Sequence, residues 1–135
     1  MKVSVYNASD MILDYLVAIC EGWIYLPIAD TFKTGRVFHM MKNSDGDNYV
    51  PLFSLQFSKN WSLAGPIMDR ECIAVSQYKI SVPEHMKCGA YIGTPVEHLY
   101  KEYGPTILVA AMRTYVTSKF DGDTIEVPDT LFQES

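Results

Sequence analysis

The stretch GPTILVAAMRTYVTSKF, residues 104–120, decides the reading of the chain. Gly104 and Pro105 end whatever precedes them, Thr106 can accept a free amide hydrogen of a first helical turn, and Asp121-Gly122-Asp123 supplies a stop. The longest helix is therefore predicted over about Pro105 to Phe120. Leu108, Ala111, Met112 and Tyr115 recur at helical spacing and form a core stripe. The opposite face carries Thr106, Val109, Ala110, Arg113 and Thr117, and it is too apolar in its first half for a solvated surface. That face must also meet something.

Nearer the N-terminus, a second helix is predicted at about residues 10 to 21, started by Ser9 or Asp10 and ended by Gly22. Met11, Ile12, Leu13, Tyr15, Leu16 and Ile19 cover most of its wheel, and after Asp10 at its start only Asp14 and Glu21 are charged. Such a helix is central in the fold or forms half of a subunit interface, so a homo-oligomer is expected. Trp23 to Ile28 reads as a strand up to Pro27. Val37 to Met41 and Tyr49 to Phe57 flank the polar turn Asn43 to Asn48 as a hairpin would. Asn60 to Gly65 reads as a loop, Pro66 to Glu71 as a helical turn, and Cys72 to Ile80 as a strand. Pro83 to Gly93 is turn-rich, Pro95 to Tyr103 has apolar residues at helical spacing, and Thr124 to Val127 closes the chain as a strand. The pattern predicts one α+β domain over residues 1–135: a small antiparallel sheet packed with an N-terminal helix and a long C-terminal helix.

Composition sets the limits. A chain of 135 residues that is 48% hydrophobic buries a core without disulfides or metal, which excludes intrinsic disorder. Its net charge of -5 and its scattered 11 basic residues exclude a nonspecific binder of nucleic acid, which gathers its cations into one patch. An acidic surface suits a protein or small-molecule partner. The apolar run Met11 to Cys20 is too short to span a membrane and no signal peptide is recognisable. Cys20, Cys72 and Cys88 are odd in number and widely spaced, so they form no disulfide framework and fit the cytoplasm.

Catalytic and metal patterns are weak. His85 and Cys88, with Cys72 and His98 as further ligands, lack the two tight pairs of a zinc site. Asp45-Gly46-Asp47 and Asp121-Gly122-Asp123 lack the remaining ligands of a calcium loop. Asp69 and Glu71 sit at alternate positions, which point different ways on a helix. There is no nucleophile elbow, phosphate-binding glycine loop or paired-histidine zinc motif. No enzyme, metal or cofactor is predicted.

Two helix starts stand out. Gly65-Pro66 and Gly104-Pro105-Thr106 are each followed by an arginine, Arg70 and Arg113, among only three arginines in the chain. Free amides and the helix dipole favour an anion, and an arginine adds a bidentate clamp. Trp61 just upstream can stack on a base. Trp61, Gly65, Arg70, Gly104, Thr106 and Arg113 are thus the candidate ligand-binding residues, and a small phosphorylated ligand is the expected partner. In the competing reading glycine and proline only punctuate helices, Trp61 anchors the core, and the arginines pair with carboxylates, Asp69 or Glu71 for Arg113. A protein-binding surface built on Trp23, Tyr25 and Phe38 is the other alternative.

Leu13-Asp14 with Glu21-Gly22, Trp61 with Gly65-Pro66-Ile67 and Arg70, Gly104-Pro105-Thr106, Ala110-Ala111-Met112-Arg113 and Val127-Pro128 together resemble the NinX-like family of small lambdoid bacteriophage proteins. The resemblance runs along nearly the whole chain in outline, with no matching motif in residues 24–59. Ala64 and Ile107 stand where the family pattern often has a glycine and a proline. The resemblance implies a phage accessory protein in the host bacterial cytoplasm and supplies no known reaction; with the catalytic patterns missing, a non-catalytic role is expected. Phage proteins of this size often counter host defence, by sequestering a nucleotide-like signal or by inhibiting a host or defence protein.

Overall fold

The computed structural model describes residues 1–29, 36–78 and 81–133. In chain order the elements are β1 (Lys2–Ser4), α1 (Asp10–Cys20), β2 (Ile24–Ala29), β3 (Val37–Lys42), β4 (Tyr49–Pro51), α2 (Trp61–Arg70), β5 (Ala74–Gln77), β6 (Cys88–Gly93), β7 (His98–Gly104), α3 (Ile107–Phe120) and β8 (Thr124–Glu126). The fold is α+β, as its sequence predicts, but among the described residues the strands form three small antiparallel sheets in place of one. These are β1 with β8, β2-β3-β4, and β5-β6-β7. Among the same residues no helix is long and apolar enough to cross a membrane.

Helix α3 lies at the centre. Every residue from Leu108 to Thr117 is buried, because the β5-β6-β7 sheet covers one side and α1 and α2 pack on others. Small residues let it approach the sheet closely. Ala110, Ala111 and Ala90 are fully buried, and the Thr114 hydroxyl donates a hydrogen bond of 3.0 Å to the Ala90 carbonyl of β6. Thr106 caps the helix by accepting from the Val109 amide at 3.2 Å, and Asp121 ends it in the left-handed conformation at φ 50°. The Asp121 carboxylate accepts from the Tyr100 hydroxyl of β7 at 2.6 Å.

The start of α1 is capped by Ser9, and Gly22 follows its end at φ 92°. Ile12 to Ala18 are all buried within the single chain. Most of the apolar surface from which a subunit interface is expected is covered internally by α3, β2 and the short 3-10 turn at Leu52–Ser54, while Met11 stays 39% exposed.

Four local expectations are corrected. The segment read as a loop, Asn60 to Gly65, is the first half of α2, which runs on through Pro66. Asn60 starts it by accepting from the Ser62 amide at 2.9 Å. Burial of Ala64 and Ile67, one turn apart, outweighs the cost of a mid-helix glycine and proline. Second, Pro95 to Tyr103 is no helix: Thr94 to Glu97 forms the turn of the β6-β7 hairpin, closed by the Glu97 amide on the Thr94 carbonyl at 3.2 Å. Pro95 suits the second position of such a turn, and the tyrosine-rich run after it has strand propensity. Gly93, at φ 136°, leaves only 2.4 Å between a built Cβ and the Glu97 carbonyl. Third, part of the turn-rich stretch Pro83 to Gly93 is β6. Fourth, Tyr49 to Phe57 continues as a strand only to Pro51. The predicted strand Cys72 to Ile80 is β5, shorter at its start; its last two positions, 79 and 80, lie outside the described residues.

Proline stands on both edge strands of the β2-β3-β4 sheet, Pro27 opposite His39 and Pro51 opposite Met40. An edge strand pairs on one side only, so β2 continues through Pro27 to Ala29.

Arg113 ties the layers together. It is only 7% exposed, and it donates to the Tyr103 carbonyl at the end of β7 at 2.9 Å and to the Ala8 carbonyl before α1 at 3.3 Å. Neither Asp69 nor Glu71 is its partner among these hydrogen bonds. Burial works against its charge, and Glu102 and Asp10 offset part of that. Removing the guanidinium leaves two carbonyls without their donor. Arg113→Ala is therefore expected to lower unfolding stability by about 2–4 kcal/mol, read as a lower urea midpoint at unchanged slope.

Candidate functional site

Two of the six predicted ligand residues meet. Trp61, the first residue of α2, and Thr106, the cap of α3, line one cleft of about 420 Å³. The indole is 56% exposed, so it is not the core anchor of the competing reading. Lys59 and Lys87 line the same cleft, as do Ile107 and Leu108 of the first turn of α3. Amides in a first turn have no carbonyl one turn back, and the helix dipole adds partial positive charge. The cleft thus combines a flat apolar face with two ammonium groups and a helix start. Gly104 sits immediately before it as the last residue of β7. A Cβ there would lie 2.9 Å from the Ala110 amide nitrogen, so glycine permits the close approach of strand and helix.

The other three lie elsewhere. Gly65 is inside α2, where its amide is no helix start. Arg70 ends α2, nine residues from Trp61, or about 13 Å along a helix axis. Its guanidinium clamps Glu21 at 2.6 and 3.1 Å and Glu71 at 2.9 Å. Burial alone would raise the Glu21 carboxyl, but hydrogen bonds from Arg70 and from the Tyr115 hydroxyl hold it below its ordinary value. Lys119 adds an ion pair to Glu71 at 3.0 Å. Arg70 is thus engaged in an ion network joining α1, α2 and α3, and Arg113 is engaged with backbone.

A second cavity, of about 510 Å³, opens between α1, β3 and the 3-10 turn after β4. Its walls are mostly apolar, including Met11, Phe38, Leu52 and Phe53. Asp14 lines it, 5% exposed, with Oδ1 accepting from the Ser58 amide at 2.8 Å. Burial pushes the Asp14 carboxyl up to about 6, against the pull of the hydrogen bond from Ser58. Sequence reasoning missed this cavity, although a lone Asp in an apolar helix was its available signal. Lys59 and Lys87 were missed too; Lys59 stands two residues before Trp61, whereas nothing local marks Lys87. Of the aromatics proposed for protein binding, Phe38 is exposed, whereas Trp23 and Tyr25 pack partly against the core.

Cys88 is buried, Cys72 is exposed, and burial pushes the Cys20 thiol up to about 12. His98 stacks on Tyr91 with ring centres 4.0 Å apart. Among the described residues no three His, Cys, Asp or Glu side chains are grouped to hold a metal ion.

The sequence model of the family described as Bacteriophage P22, NinX, matches residues 5–119, and the chain belongs to that family. No curated protein matches the chain.

Asp14 makes stability depend on pH in an unusual direction for a carboxylate. Folded, it holds its proton up to about 6, against 3.8 for an unperturbed Asp. It contributes stability that is fully present below that ordinary value and lost as pH rises through about 6. The change amounts to about 3 kcal/mol. Asp14→Asn keeps an oxygen for the Ser58 amide and carries no charge. The variant is expected to exceed the native protein in stability by about 1–3 kcal/mol at pH 7.5, an advantage that disappears by pH 4 in parallel urea titrations.

Proposed function

We propose that this phage-family protein acts by binding, without chemistry of its own, and holds a small phosphorylated, nucleotide-like ligand in the cleft between the starts of α2 and α3. The observation that carries this reading is the convergence of exposed Trp61 with Lys59, Lys87 and the first turn of α3. A base stacks on the indole. Its phosphates face the α3 amides, the Lys87 ammonium and the Lys59 ammonium, whose exposed pair with Asp10 at 3.4 Å leaves it open to a second anion. A cleft of about 420 Å³ matches a ligand of nucleotide size. The biological role that suits such a binder is withdrawal of a nucleotide signal of host defence. Arg70 and Arg113 take no part in this version of the site, since internal acceptors occupy both.

A second reading, a protein-binding inhibitor of a host or defence protein, draws on Phe38 and Phe53, large apolar side chains exposed at 52% and 75%. Native mass spectrometry of the protein purified from infected cells separates the two. A retained small phosphorylated molecule supports the first, and a captured host protein with an empty cleft supports the second.

For the first reading, Trp61→Ala is expected to weaken nucleotide binding by about tenfold or more, and Lys87→Ala to weaken it with a reduced salt dependence. Arg70→Ala should lower stability and leave affinity unchanged. Isothermal titration with a panel of mono-, di- and cyclic nucleotides measures this. Absence of binding by the native protein across the panel would end the nucleotide reading.

A further inference from the structure

We propose that the cavity lined by Asp14 is a second binding site, for a small ligand carrying a cationic amine or amidine on an apolar body. Three observations point to it. The volume, about 510 Å³, lies within the range of small-molecule sites. Apolar side chains make most of the wall, so an apolar body is favoured there. Among its polar lining residues, Asp10, Asp14, His39, Gln56 and Lys59, Asp14 is a carboxylate that is almost wholly buried and accepts a backbone hydrogen bond from Ser58.

A carboxylate offers about four acceptor positions; the Ser58 amide fills one and the Ser58 hydroxyl lies against the group as a further donor, so acceptor capacity is left for a ligand. Among the described residues no Lys or Arg forms an ion pair with Asp14. Lys59, which lines the cavity, is paired with Asp10 at 3.4 Å. His39 reaches the cavity from β3, but its Nδ1 meets the Tyr25 hydroxyl at 2.9 Å and its Nε2 the Gln133 carbonyl at 3.0 Å. The charged and titratable groups facing Asp14 are thus Asp10 from its own helix, Lys59 from the turn before α2, and His39 from β3. None of them neutralises it. Burying an uncompensated charge is costly, and a ligand cation removes that cost where a neutral ligand does not. The same burial displaces the Asp14 carboxyl upward to about 6. It leaves the group largely ionised at neutral pH, ready for a cation, and largely neutral below pH 5.

The test uses benzylamine, which stays protonated across this pH range, and its neutral counterpart benzyl alcohol, titrated into the isotopically labelled protein and followed by amide chemical shifts. At pH 7.5 benzylamine is expected to bind at least tenfold more tightly than the alcohol, shifting signals of Asp14, Phe38, Leu52 and Ser58. That preference should fall as the pH is lowered through about 6. It should vanish in Asp14→Asn, with the dispersion of the spectrum reporting that the variant is folded. Equal binding of the two probes, no binding of either at millimolar concentration, or a preference that persists at pH 5 overturns the proposal. The comparison of probes and pH requires no substitution, so it stands even if the variant fails to fold.

Discussion

A helix buried on every side is the constraint on which this fold depends. Residues Leu108 to Thr117 of α3 have no solvated face, so the chain must supply cover in all directions from a single domain. The β5-β6-β7 hairpins do so on one side through Ala90 and the Thr114 hydrogen bond, and α1 and α2 do so on others. The one charge in this stretch, Arg113, is kept by giving it two backbone carbonyls from different layers. It therefore fixes where β7 ends and where the chain enters α1. Gly104 likewise lets β7 end against the first turn of the helix.

Much of that arrangement was legible in the residues. Ser9 and Thr106 marked the starts of α1 and α3, and the apolar far side of α3 demanded a partner that the sheet supplies. What failed did so for identifiable reasons. Gly65 and Pro66 are both poor helix formers, and only their burial context, Ala64 and Ile67 packed into the core, keeps α2 continuous. Val96, Leu99, Tyr100 and Tyr103 matched a helical spacing by coincidence, and a proline turn at Thr94–Glu97 made the same segment a strand. Short apolar runs carry both periods, and pairing partners far away in sequence decide between them.

The candidate site was half legible for a related reason. Trp61 and Thr106 were nominated as a flat surface and a helix start, and those are local properties that folding does not remove. Arg70 and Arg113 were nominated as clamps, and a clamp is available only if nothing internal closes on it first. Glu21 and Glu71 close on one, and backbone carbonyls on the other. Of the cations that do line the cleft, Lys59 stands two residues before Trp61, whereas Lys87 comes from the base of a hairpin whose proximity is purely tertiary. Asp14 shows the reverse case: a charge inside an apolar run was counted as the polar side of α1, but the turn carrying Ser58 folds over it.

The prolines on β2 and β4 bear on how the molecule behaves in a crowded cell. A three-stranded sheet offers two rows of free backbone groups to any strand that drifts past, and such rows are templates for fibre growth. Pro27 and Pro51 each remove a donor from one of those rows and stiffen the chain where it would have to flatten. The sheet is thereby interrupted along both margins, so copies made in quantity from one template are hindered from zipping together edge to edge.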